Sequence, residues 1–337
     1  MAPRATSLRD IAERLGISVK TVSGALSESD VRMSEETRRK IKNLASELGY
    51  RPNAIARGMR TGVMPIIGVL ADGLITQPFA TEILRQFDNL LRPADLTVVV
   101  TAVHGADSVV KGIAELRRLM PQKILYASMF HQAIRLPECE RDAVALMLNC
   151  FDADGVTPSL VPDEEMAAFD ATRCLIASGR RHVAFLGLPG IIAGQLRTDG
   201  VHRALNEAGL AVEADWFQPA TRGATYSDRA RSLVRPTAER WFEGARKPDA
   251  IVCGNDRIAM EVYNALARLS LRIPQDVAVI GFDNQVDIAT RLDPPLTTMA
   301  LPHREIGRLA GDIVTGRKAW PEGITKIPFR LIERSSV

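Results

Sequence analysis

Three polar residues close apolar runs in the second half of the chain. Asn255 and Asp256 follow "AIVCG", and Asp283 ends "VAVIGF". Short apolar runs of this kind read as buried strands, and in open α/β sheets ligands sit at the carboxyl ends of strands. Amide and carboxylate oxygens placed there accept hydrogen bonds from a small molecule. The chemistry suggested is binding, not turnover. The 5 histidines, His104, His131, His182, His202 and His303, are dispersed, with no i, i+4 pair for a metal. "GLPGIIAG" (187–194) lacks the G-x-G-x-x-G spacing and a P-loop lysine, and no G-x-S-x-G elbow occurs. The chain is therefore expected to be no enzyme and to carry no cofactor, metal or catalytic group.

The elements that must position these residues alternate. Apolar runs at 65–71, 96–102, 123–128, 182–188, 249–254 and 277–283 are separated by helix-like segments at 80–92, 107–119, 165–178, 199–208, 227–243 and 256–269. Strands alternating with helices argue for parallel sheets covered on both faces. Six or more such units suggest two lobes. With 337 residues, 46% hydrophobic and 25% charged, the chain reads as an ordinary soluble protein of two or three domains. No apolar run reaches the ~18 residues of a membrane span. The start "MAPRATSLRD" has no signal-peptide core, and the 4 cysteines form no C-x-x-C pair. A reduced cytoplasmic setting is expected, with no membrane partner.

The charge is uneven. Residues 1–62 hold 12 Lys+Arg against 7 Asp+Glu, whereas the remainder holds 31 against 33. Within this basic segment, Ser7 and Asp10 have capping-box spacing. Leu8, Ile11, Ala12 and Leu15 then form one helical face, and Gly16 ends it. Ser18 caps a second short helix, about 19–26, that buries Val22 and Leu26; Ser34 caps a third, which runs to Leu48 and presents Ile41, Leu44, Ala45 and Leu48 inward. Two short helices joined by a tight glycine turn and braced by a third make a helix-turn-helix unit. Its second helix enters the DNA major groove by its N-terminal residues. Next, "YRPNAIARGMRTG" (50–62) places a cap, Asn53, before barely two helical turns. That is too short to stand alone in water. It reads either as a plain linker or as a hinge helix that folds only when paired with its copy on DNA. In the hinge reading, Arg51, Arg57 and Arg60 face phosphates and Met59 is an apolar wedge in the minor groove.

The motifs "DIAERLGISVKTVS", "MSEETRRKI", "LGYRPNAIARGMRTG", "PDAIVCGNDRIAMEVYNAL", "IPQDVAVIGFDN" and "PPLTT" occur in this order over nearly the whole chain. In sequence and spacing the chain resembles the LacI/GalR family of bacterial repressors. The resemblance implies a homodimer or tetramer that binds a near-palindromic double-stranded operator, with a small molecule altering its affinity. The absence of a C-terminal leucine heptad favours the dimer. It implies an all-α helix-turn-helix domain (1–49), a hinge (50–62) and a two-lobed α/β domain of periplasmic-binding-protein type (63–337). The expected N-lobe is about 63–160 and 290–320, and the C-lobe about 161–289 and 321–337, with chain crossings near 158–163, 285–295 and 318–325.

The resemblance also marks residues. DNA-facing positions are Ser7, Ser18, Val19, Lys20, Thr21, Ser23 and Gly24 of the helical unit and Asn53, Ala56, Arg57 and Met59 of the hinge. Lys20 can donate to guanine O6/N7, and Val19 can pack on a thymine methyl. Gly24 stands where the family most often has an arginine. It offers no side-chain contact, so its role is close packing or a base left unread. Effector positions are Asp72, Phe79, Asp163, Arg197, Asn255 and Asp283. Arg197 matches the family's ligand-clamping arginine, and Asn255 and Asp283 match positions that bond polyol hydroxyls. Around Asp163, "PDEEMAAFDATRCL" departs from the family's small-residue glycine motif. The usual stacking position holds Ala220, with Trp216 a few residues before it. The effector expected is a sugar or sugar derivative, the regulated genes those of carbohydrate uptake or metabolism. A periplasmic-type sugar-binding protein is the alternative reading.

Overall fold

The computed structural model describes residues 6–26, 33–50, 58, 62–74, 81–223 and 230–337, and the chain divides into two compact units, Met1–Met64 and Pro65–Val337.

In the first unit, α1 (Leu8–Leu15) opens on a complete capping box. The Ser7 backbone N–H donates to Asp10 Oδ2 at 2.7 Å, and the Asp10 N–H donates to Ser7 Oγ at 3.3 Å. Gly16 takes φ 62°, the left-handed stop that lets the chain turn at once into α2 (Val19–Leu26). Ser34 caps α3 (Glu35–Glu47). Ile11, Ala12, Val22, Ala25, Ile41 and Ala45 form a small buried core, with Leu26, Leu44 and Leu48 half-buried around it.

The second unit holds two six-stranded sheets. The first runs Ile324–Ile327, Ser159–Pro162, Val144–Leu148, Lys123–Ser128, Ile66–Asp72 and Thr97–Val103, every neighbour parallel. Side chains alternate across it. Ile67, Val69 and Ala71 pack under α4 (Thr81–Leu91), while Leu70 packs under α5 (Ala106–Arg118). The second sheet runs Arg330–Ile332, Thr297–Ala300, Ala278–Asp283, Ala250–Cys253, Val183–Gly187 and Phe217–Pro219. It is parallel except at Arg330–Ile332. Helices α6 (Glu164–Ala177) and α7 (Ile192–Glu207) cover one face; α8 (Val234–Glu243) and α9 (Asp256–Arg268) cover the other. Each fully buried Leu, Ile or Phe of these layers contributes ~1.5–3 kcal/mol.

Two of the expected crossings move. Thr297–Ala300 still belongs to the second sheet, paired with Ile280–Asp283, so the chain returns to the first lobe only at Ala300–His303. Helix α11 (His303–Val314) then packs its Ile306, Ala310 and Ile313 into the first lobe's core. Ile324–Ile327 likewise completes the first sheet, and the last crossing falls between Ile327 and Arg330. The physical reason is that "TTMA" and "ITKI" are short strands whose pairing partners, not their own composition, decide which lobe they join. Helix α10 (Val286–Ala289) is a single turn after Asp283. Among the described residues, no helix is long and apolar enough to cross a membrane.

Candidate functional site

Parallel strands point their carboxyl ends the same way, and the two sheets bring theirs to one cleft. A cavity of about 40 Å³ lies there. Met129, Phe130, His131 and Asn149 line it from the first lobe; Glu164, Leu188, Arg197 and Asp283 line it from the second, with Leu301 and His303 at a crossing. Ligand sites usually enclose ~300–1,000 Å³, so this cavity is far smaller than one that encloses a sugar.

At its centre is a buried ion pair. Arg197 is 2 % exposed. It projects from α7, and its Nε donates to Glu164 Oε2 at 2.8 Å from the first turn of α6. Its Nη2 lies 2.8 Å from the same oxygen. Its Nη1 donates to the Gly254 carbonyl and stands 3.9 Å from Asp283 Oδ1. The guanidinium also sits 4.3 Å over the Phe282 ring. Helix contact at Gly200 sets this geometry, because a Cβ built there would lie 2.1 Å from the Glu165 carbonyl oxygen. Only glycine lets α6 and α7 approach so closely.

Burial pushes the Glu164 carboxyl up, but Arg197 and the neighbouring His131 outweigh it, and the net shift is below the ordinary value. His131 Nδ1 is 3.9 Å from Glu164 Oε1, beyond hydrogen-bond reach. Burial raises Asp283 to about 6 against the pull of Arg197. Asp283 also carries φ 100°, a left-handed backbone that a non-glycine residue adopts at a cost and that often marks functional sites. Behind it Asp256 is driven to about 8, by burial first and by Asp283 second.

The other sequence-predicted positions fare differently. Asn255 is buried, and its Oδ1 accepts from the Ile258 N–H, capping α9. It stands outside the cavity lining. Asp163 precedes α6 and faces Lys326 Nζ at 3.9 Å, also outside the lining. Asp72 accepts from Tyr126 OH and from Gln132 Nε2, both at 3.1 Å, within the first lobe. Phe79 lies outside the described residues. Trp216 and Ala220 are core residues of the second lobe. Glu164, His131, Asn149 and His303 were not singled out as ligand positions from the sequence. Glu164 adjoins Asp163 in the segment that departs from the family pattern, and that departure was the available signal.

In the first unit, Val19 is 44 % exposed and Lys20 is exposed, both at the start of α2. Ser18 Oγ accepts from the Thr21 N–H at 3.0 Å and Ser7 is committed to its capping box, so both hydroxyls hold helix ends. Ser23 is half-buried and Gly24 is buried, which places Gly24 on the packed side of the helix. Asn53, Ala56, Arg57 and Met59 lie outside the described residues.

Residues 7–53 match the model for bacterial regulatory proteins of the lacI family, and residues 172–337 match that of a periplasmic binding protein-like domain. The sucrose operon repressor of Escherichia coli is 33% identical over 98% of this chain and 99% of its own length, and that of Shigella flexneri matches equally. The chain belongs to the LacI family. It is a ligand-responsive, DNA-binding transcriptional regulator of that family. The lac repressor dimer, solved with operator and the anti-inducer ONPF, shares the fold. It has a TM-score of 0.73 at 22% identity and covers 99% of both chains. The regulatory match over 7–53 sets aside the alternative of a periplasmic-type binding protein without regulatory DNA binding, since that reading leaves the first unit without a purpose.

Proposed function

We propose that this LacI-family regulator is a cytoplasmic homodimer that represses carbohydrate genes, and that a neutral sugar between the lobes changes its operator affinity. The observation that carries this reading is the cluster Arg197, Glu164 and Asp283, buried where the two lobes meet. Closely placed acceptors and a held guanidinium suit hydroxyl groups, which both donate and accept. The sucrose operon repressors among its relatives support a sugar as ligand. The cleft binds without turnover.

Two chains place two copies of α2 about one DNA turn apart, on the two halves of a near-palindrome. Val19 and Lys20 read base edges, Thr21 and Ser23 lie beside them, and Gly24 packs. Asn53, Ala56, Arg57 and Met59 serve DNA binding, and Asp72, Phe79, Asp163 and Asn255 serve effector binding. Ligand binding shifts the population between open and closed lobes, and only its differential affinity for the two drives the shift. A typical coupling of ~1–3 kcal/mol changes operator affinity ~5- to 150-fold.

The test is selection of genomic fragments by purified protein at two salt concentrations, followed by sequencing. One enriched near-palindrome that persists at the higher salt supports the reading. Uniform recovery that collapses with salt leaves only phosphate contacts and refutes it.

A further inference from the structure

The ion pair at the centre of the cleft also bears on which ligands enter it, and this inference rests on the reading of the cleft as the effector site. We propose that Glu164 is a specificity-determining residue: by holding Arg197 it confines the cleft to neutral polyhydroxyl ligands and excludes their phosphorylated or carboxylated derivatives.

An arginine in a ligand cleft would ordinarily invite anions, because its planar fork matches carboxylate and phosphate. Here that fork is already engaged. Nε and Nη2 address Glu164 Oε2, Nη1 donates to the Gly254 carbonyl, and one face covers Phe282. Glu164 is 2 % exposed and faces the cavity, with Asp283 3.9 Å from the same guanidinium. Among the described lining residues Arg197 is the one arginine or lysine, against these two carboxylates.

Hydrogen-bond polarity points the same way. Asn149 spends its amide N–H groups on the Ser128 and Met129 carbonyls, at 3.0 and 2.9 Å, so its remaining group is an acceptor oxygen. Glu164, Asp283 and Asn149 thus present acceptors to whatever enters. Sugar hydroxyls can donate to them without bringing charge, whereas an ionised phosphate brings negative charge and acceptor-rich oxygens to two carboxylates. The sequence carries the device in a single place, the glutamate after Asp163.

The experiment compares wild type with Glu164→Gln by calorimetric titration, using inorganic phosphate, glucose and glucose 6-phosphate as probes. Wild type is expected to give no saturable signal with phosphate or glucose 6-phosphate. Glu164→Gln, checked for folding by thermal melting and operator binding, is expected to gain affinity for phosphate by roughly 10- to 100-fold, the worth of a charge-assisted hydrogen bond. The gain should vanish in Glu164→Gln/Arg197→Gln. Equal phosphate binding by wild type and Glu164→Gln would overturn the proposal, as would a folded Glu164→Gln that still binds none. Should that variant not fold, wild type alone decides: phosphate or glucose 6-phosphate binding that is lost in Arg197→Gln sinks the idea, and its absence upholds it. Failure of every neutral sugar to change operator affinity would instead refute the effector reading, while the phosphate comparison would still report on Glu164.

Discussion

Both Nε and Nη2 of Arg197 stand 2.8 Å from one oxygen, Oε2 of Glu164, and neither side chain is more than 3 % exposed. The pair joins the first turn of α6 to the middle of α7 at the mouth of the second lobe. It forms part of the lobe's framework as well as of the cleft. Buried pairs gain little over an apolar pair of the same shape, yet breaking one strands a charge. Glu164→Ala is therefore expected to cost ~3–5 kcal/mol in urea unfolding. Glu164→Met/Arg197→Met should lose much less than the sum of its single variants. Additive losses would show that the two side chains do not depend on each other.

Gly200→Ala tests how the pair is positioned. The added methyl meets the Glu165 carbonyl oxygen, a backbone atom that yields only if the helices separate. A loss of ~1–3 kcal/mol is expected, as for other overpacked sites. Gly209, at φ 66° with nothing within 4 Å of a built Cβ, is the control, because alanine there meets conformational strain alone. Thermal melts of the two variants make the comparison, and a smaller loss at Gly200 than at Gly209 would contradict the close-approach account.

Much of this was legible in the sequence, and what was missed follows a pattern. The capping box at Ser7, the glycine stop at Gly16 and six apolar strands declare themselves, because each signal is local. The strands at 144–148, 159–162, 297–300 and 324–327 lie outside the six apolar runs, and two of them shift the lobe boundaries. Arg197 and Asp283 do meet in the cleft. Glu164 was hidden because its importance lies in a partner 33 positions away. Asn255 sits where the sequence places it, at a strand end, and its Oδ1 also starts a helix by accepting from the Ile258 N–H.

A pH dependence follows from Asp256 and Asp283. Their carboxyls, raised to about 8 and about 6 by burial first, keep in the native state a proton that the unfolded chain releases near 4. Between about pH 4 and pH 8 these two groups thus bind more protons in the native state than in the unfolded state, and their contribution to unfolding free energy falls as pH rises. Melting temperature is expected to decline across this window. Asp256→Asn should flatten the decline, since its carbonyl still accepts from the Gln285 N–H and its amide can turn to the Thr298 hydroxyl. An unchanged slope in that variant would place the dependence elsewhere.

On the DNA side, Lys20 is exposed at the start of α2, and Gly24 is turned inward. Lys20→Ala is expected to cost ~1–3 kcal/mol at one base position and to relax specificity there. Binding to a set of single-base operator variants reads this out. A uniform loss on every sequence would make Lys20 a phosphate contact.

The most direct test of the central claim is fluorescence anisotropy of the selected operator fragment, titrated with protein in the presence and absence of neutral sugars. The expected result is that one of them changes wild-type affinity by ~5- to 150-fold while Arg197→Gln, still folded and still bound to operator, does not respond. A response that survives in Arg197→Gln, or operator binding indifferent to every neutral sugar, would contradict the account.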